Sequence, residues 1–503
     1  MKNKYILICS IFFTFLLGSC KEEFLEVDSA SSVLIDDYYT TEERIFEALV
    51  AAYDPLAWTD YAWGQFTQLN LVSDVMSDDV YVGGNDQGDQ PFLHKMFNYE
   101  ATPEIVCSDL WTTFYSGVKR ANAVLEYMDD VEDISDETKA LYLAEAKVLR
   151  SYYYMWLWKL WGNIPYYEVN LDFPYTTPQL TADEVYNGII TTLEDAIDNG
   201  GLAIKTTSEN TGRVSLAFAY MIYAEVVMYQ NDESKYSTAL AYMNEIISSN
   251  QYSLNSDFAN IWEASGEWTE ESIFEVNYFS VNGGKDWGAA IEDGGTVYPK
   301  LIGINNLSGS PDFDGGWGFE PVRQEIYDLY EDMDQRKNGG ILNMVSYAAQ
   351  TGATYEGRYQ DTGNFLKKYL PRTNGNADYS GSPDMNYNNN LRVYRYSETL
   401  LNAAELLANG TSGTGSAQTY LDEVRTRAGV ASVSATVDNI IAERRLEFVG
   451  EGKRYWDLIR SGKAATTLVP NEYRTTTWTE NKKYLPIPQS EMDSDSGLDQ
   501  NPY

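Results

Sequence analysis

The spacing of apolar residues constrains this chain most, because it has a helical period and returns in matched pairs. Leu149, Tyr152, Tyr153, Trp156, Leu157 and Leu160 fall at i, i+3, i+4, i+7, i+8 and i+11, one wide face of a long helix. Gly162 and Pro165 follow, where such a helix stops. A further helix carries Leu216, Tyr220, Tyr223 and Val227. Beyond the polar turn Asn231-Asp232-Glu233, another carries Leu240, Met243 and Ile247. Ala217, Ala224 and Ala239 are small enough to let these two approach closely.

Residues 213–250 therefore form a helix–turn–helix unit, and residues 391–428 repeat the design. There Leu400, Leu401, Ala404 and Leu407 share a helix, Gly410 to Ser416 turn the chain, and Leu421 and Val424 return it. Both units resemble tetratricopeptide repeats. One such unit cannot bury its apolar face alone, so the two are expected to stack. Between them, residues 255–390 hold Gly283-Gly284, Gly294-Gly295, Gly315-Gly316 and Gly339-Gly340 among asparagines, tyrosines and prolines. That composition predicts irregular chain with short strands and few helices. Residues 77–92 form a second loop of this kind, and loops that long usually carry function. The expected fold is mainly α: tetratricopeptide-like helix pairs forming a scaffold, with long irregular loops and a few short strands.

Lys2 and Lys4 precede an apolar run, Tyr5 to Leu17, that is too short to span a bilayer. Gly18-Ser19 then stands directly before Cys20, an arrangement that resembles the lipobox of bacterial lipoproteins. The plainer alternative is a secretion leader in which Cys20 is incidental. Lipidation of Cys20 would anchor the chain, firmly if several acyl chains are attached. The expected layout is a leader over 1–19 and a lipid-anchored tether over 20–45. An N-terminal helical region over 46–254 follows, then a C-terminal region over 255–503, loop-rich across 255–390 and helical across 391–463.

Charge and rare residues exclude several functions. With 75 acidic against 36 basic side chains the net charge is −39, unsuited to nucleic acid, whose phosphates need Lys and Arg. Neutral ligands fit better. Cys9 belongs to the leader and Cys20 to the lipid, which leaves Cys107 without a disulfide partner. One histidine, His94, and one free cysteine do not make a standard zinc site or mark a nucleophilic triad. His94 reads as an ordinary surface or loop residue.

Ordered motifs then give the chain a family resemblance. AEAKVLRSYYYMWLWKLWGNIP (144–165), the helix pair within 212–254 and GWGFEPVRQEIYDLYEDMDQR (316–336) come first. RYSETLLNAAE and VRTRAG follow within 391–429, then IIAERRLEFVGEGKRYWDLIRSGK (440–463) and YLPIPQSEMDSDSGLDQNPY (484–503). Together they resemble the SusD/RagB family of outer-membrane glycan-capture lipoproteins, end to end. Val322 departs from the threonine common there. The resemblance implies a non-catalytic protein on the cell outer membrane, lipid-anchored and facing the exterior. It would capture an oligosaccharide or polysaccharide and deliver it to a SusC-like TonB-dependent transporter. Lys21-Glu22-Glu23 looks like the family's export signal to the exterior. No cofactor is implied. A surface glycoside hydrolase with two carboxylates and a RagB-like peptide-capture protein are the alternatives.

A pyranose offers an apolar C–H face to an aromatic ring and hydroxyls to polar side chains. Trp58, Trp63 and Tyr81 lie in or near the first loop region, and Trp287, Tyr298 and Trp317 lie in the second. These are the candidate platforms, Trp287 first, with Lys285 and Asp286 placed beside it to meet hydroxyls. The Gly-Trp-Gly setting of Trp317 also reads as a structural element, while Trp156, Trp158 and Trp161 read as core. Asp74, Asp78, Asp79, Asp86 and Asp89 surround Gly83-Gly84 in an oxygen-rich loop. Calcium binds such loops, but this spacing is not the EF-hand pattern, and solvated carboxylates are the plainer reading. Asp78 is the candidate ligand contact among them. The charges of Glu443 to Lys463 read as an arginine–carboxylate network between helices.

Overall fold

The computed structural model describes residues 38–503. Its scaffold is a row of antiparallel helices: α1 (Glu42–Tyr53), α2 (Ser108–Tyr127), α3 (Asp136–Trp161), α4 (Ala182–Asn199), α5 (Leu216–Gln230), α6 (Tyr236–Ser248), α7 (Tyr396–Ala408) and α8 (Ala417–Ala428). From α2 onward each packs on the next, and α6 lies directly against α7 across the long insertion between them. The two units visible in the sequence do stack. Helix α1 begins inside the segment expected as tether.

Local chemistry sets the helix ends. The Ser135 hydroxyl accepts from Thr138 N–H at the start of α3, with Asp136 and Glu137 in its first turn. Gly162, at φ 70°, closes it. Thr181 and Glu184 form a reciprocal capping box on α4. The stripe expected on α3 widens to the whole circumference: every residue from Val148 to Trp161 is buried. Trp156, Trp158 and Trp161 are core. A helix so enclosed must neutralise its charges internally. Lys159 pairs with Glu225 and lies between the Trp156 and Trp456 rings, 4.4 Å from each centroid.

The insertion leaves the scaffold on β1 (Ser272–Val276), which pairs antiparallel with β2 (Leu391–Arg395). Strand β2 runs straight into α7, so the second helical unit opens on a strand. Between the strands the chain is largely irregular, with a small core of its own around Ile304, Phe313, Leu342 and Phe365.

The C-terminal charge run is a buried network. Glu447 receives Arg395, Arg336 and Arg427, while Arg395 also reaches Glu451 and Glu271. These residues come from β2, α8, α9 (Val437–Glu447) and the turn after it, the 263–276 segment and a short helix at Gln335–Gly340, so the network bolts the insertion to the scaffold. Burial raises the Glu447 carboxyl, and the Arg427, Arg395 and Arg336 guanidiniums overcome it, holding it far below the usual range.

Candidate functional site

Four aromatic rings meet where the loop around Tyr61–Phe66 touches the long 255–390 region. Trp287 lies 5.9 Å from Trp317 at an interplanar angle of 31°. Tyr61 and Phe66 stand edge-on to Trp287 at 5.4 and 6.3 Å, and Phe66 tilts against Trp317 at 5.6 Å. Trp63, between Tyr61 and Phe66 in the chain, stands edge-on to the buried Trp58. Trp63 is 49% and Trp287 43% exposed, and Trp317 is half-buried. Large rings left open to solvent, yet braced by other rings, are what a sugar face stacks on.

The backbone around each ring is fixed. Tyr61 and Phe66 bridge antiparallel with Trp63 at the tip, beside Gly64 at φ 129°. Below them the Asp109 carboxylate accepts from Gln65 N–H at 2.8 Å. Trp287 rides a tight turn closed by hydrogen bonds between Asp286 and Ala289. Trp317 sits where Gly303 and Gly316 touch. A Cβ on Gly316 would lie 2.4 Å from the Gly303 Cα, so the setting demands glycine.

One buried ion pair joins the loops. Lys285 Nζ donates to Asp60 Oδ1 at 3.2 Å and to Ala57 C=O at 3.1 Å, while Asp60 Oδ2 accepts from Val297 N–H. Lys285, expected beside a sugar, is instead buried, and its work is to hold the Trp287 loop against the Trp58–Phe66 loop. Asp286 remains exposed at the turn.

Three other expected platforms have no free ring face. Tyr298 is 2% exposed and its hydroxyl donates to Glu320 at 2.7 Å. Tyr81 is buried under Tyr473 and Phe97. Trp58 is buried beneath the Arg120 guanidinium, 4.5 Å from its ring centroid. Asp78 faces arginine rather than solvent: Arg445 Nη2 and Arg454 Nε donate to it at 2.7 and 2.8 Å. Burial pushes the Asp78 carboxyl up, and those two guanidiniums bring it below its usual range. The acidic loop is thus divided, with Asp74 and Asp79 buried, Asp78 half-buried and Asp86 exposed. Among the described residues no group of three or more His, Cys, Asp or Glu is arranged to hold a metal ion. His94 is also buried, on the helix Pro91–Phe97, and desolvation lowers its imidazole below the ordinary range. Cys20 lies outside the described residues.

Tyr61 and Phe66 were legible as aromatics flanking Trp63, but nothing local marked their convergence with Trp287. Asp60 carried no signal at all.

Asp74 and Glu320 are both buried, and burial, with the Glu320 charge next, raises the Asp74 carboxyl well above its ordinary range. Burial pushes Glu320 from its ordinary 4.5 to about 8. Between those values the folded protein keeps a proton that the unfolded chain has released, so this stabilisation fades as pH rises through the window. Glu320→Gln keeps the acceptor for the Tyr298 hydroxyl without the proton. Melting temperatures at pH 5 and 8 should show the variant gaining on the parent as pH rises. A difference independent of pH would mean that Glu320 holds no such proton.

Fold and site together define a helical-repeat scaffold presenting an aromatic platform from two tied loops. The chain belongs to the SusD family. The family model described as "SusD family" matches residues 340–503, and one described as "Starch-binding associating with outer membrane" matches 23–223. Surface glycan-binding protein A from Bacteroides thetaiotaomicron, solved in complex with laminarihexaose, is 50% identical. That match covers 92% of this chain and 100% of the other, with a TM-score of 0.89. A laminarin binding SusD-like protein is 31% identical over 92% of this chain and 100% of its own, with a TM-score of 0.83. SusD-like protein P25 of Formosa agariphila is 26% identical across 96% of each chain.

Proposed function

We propose that this protein captures a laminarin-type glucan at the cell surface without cleaving it, and passes it to a SusC-like TonB-dependent transporter. One observation carries the ligand assignment. The exposed Trp63–Trp287–Trp317 platform lies in a chain half identical, over nearly its whole length, to a protein solved with laminarihexaose. Membership of the SusD family supports the transporter partner, and the description of the matching N-terminal model supports the outer membrane.

Calorimetric titration of the protein lacking residues 1–20 with laminarihexaose should show saturable binding, and prolonged incubation should leave the hexasaccharide intact. Release of shorter sugars, abolished by changing one carboxylate, would instead establish the hydrolase. Binding of peptides but not of glucans would move the protein to RagB-like capture.

The anchor is tested separately. Cys20→Ala should shift the protein from the membrane fraction to the soluble one, or leave it unprocessed. Unaltered fractionation with no lipid mass on residue 20 would remove lipidation from the proposal.

A further inference from the structure

A second aromatic surface lies on another face of α2, away from the residues that brace the platform. It lines a cavity of about 460 Å³ between α2, the 165–177 loop and the C-terminal segment 491–498. Tyr115 stands one turn along α2 from the buried Trp111, and its half-buried ring lies parallel to that of half-buried Tyr167 at 6.0 Å and 11°. These rings are held from behind. The Tyr115 hydroxyl donates to Pro165 C=O at 2.7 Å, and Tyr154 clamps both the N–H and the C=O of Tyr167. At the rim, Tyr175 is 69% exposed and makes an edge contact with Phe173.

Polar groups around the rings are unspent. The hydroxyls of Tyr167, Thr112, Thr176 and Thr177 and the ammonium of Lys119 have no hydrogen-bond partner within the described residues. Rigid ring faces bordered by free donors and acceptors are the chemistry of a saccharide subsite. Helix α2 serves both places. Asp109 near its N-terminus holds the Trp63 loop, and Arg120 near its C-terminus covers Trp58. A 20-residue helix is about 30 Å long, within the span of one polysaccharide chain.

We propose that this cavity is a second glucan subsite, occupied by a distant stretch of the same polymer that lies on the Trp287 platform. It rests on the glucan reading above. Two linked contacts raise the affinity for polymer without changing that for a short oligosaccharide, because the second contact forms at high effective concentration.

The probes are laminarihexaose and laminarin, titrated into the parent, Tyr167→Ala and Tyr175→Ala. Tyr175 is exposed and far from the core, so its truncation leaves the fold intact. Hexasaccharide affinity at the platform should stay within about twofold, while laminarin affinity falls roughly tenfold. In a Trp287→Ala background, residual laminarin binding should disappear on adding Tyr175→Ala. If both cavity variants bind laminarin as the parent does, the second subsite is refuted and the platform stands. If the parent binds neither probe, the glucan reading fails together with this one.

Discussion

Trp287→Ala is expected to weaken laminarihexaose binding by at least about tenfold, because truncating a central aromatic anchor commonly costs on the order of 2 kcal/mol or more. Trp287 is the most open of the four meeting rings, and its neighbours Tyr61, Phe66 and Trp317 touch one another through Phe66 without it. The fold therefore loses little when the indole goes. Its loop stays anchored by Lys285 on Asp60 and by the Asp286–Ala289 turn. The melting temperature should change only slightly. A marked fall in melting temperature with binding preserved would make Trp287 a packing residue and move the site elsewhere.

Arg395→Met should do the opposite, costing stability while leaving the platform chemistry untouched. Its guanidinium faces Glu271, Glu447 and Glu451 with almost no solvent. Removing it strands buried carboxylates whose remaining partners are Arg427, Lys368 and an Arg336 already shared with Asp334 and Glu443. Breaking a buried pair from one side typically costs about 3–5 kcal/mol. A urea midpoint measured at neutral pH should drop accordingly. A loss below about 1 kcal/mol, the size expected of an exposed pair, would show that water reaches the network.

Both expectations turn on how residues distant in sequence meet, and that is where the sequence stops being readable. The helix pairs were legible because a helix writes its buried face into its own spacing. Leu216, Tyr220, Tyr223 and Val227 needed no knowledge of what they pack against. The stacking of the two units followed from the same reasoning, since neither can bury its face alone. The arginine–carboxylate segment was also legible as a network, although its partners Arg336 and Arg395 lie outside the segment that announced it.

The candidate platforms were legible only as a list. Trp287 and Trp317 converge at the surface and Trp63 stays exposed on the adjoining loop, whereas Tyr81, Trp58 and Tyr298, drawn from similar loops, are buried. No local pattern separates the two groups. A loop has no period, so a ring within it points wherever the loop is pinned. The pins here are long-range: Lys285 on Asp60 across 225 residues, and Arg445 on Asp78 across 367. Asp78 and Lys285 were misplaced toward solvent for that reason, because an isolated charge is assumed to be hydrated until its partner is known.

The amino-acid sequence by itself determined that this protein is a stack of helix pairs interrupted by an aromatic, glycine-rich excursion, since both signals reside in short-range spacing and composition. Only the tertiary structure decided which rings remain open. Exposure is a property of how two loops are fastened together, and the fastening is a buried ion pair whose members lie far apart in the chain.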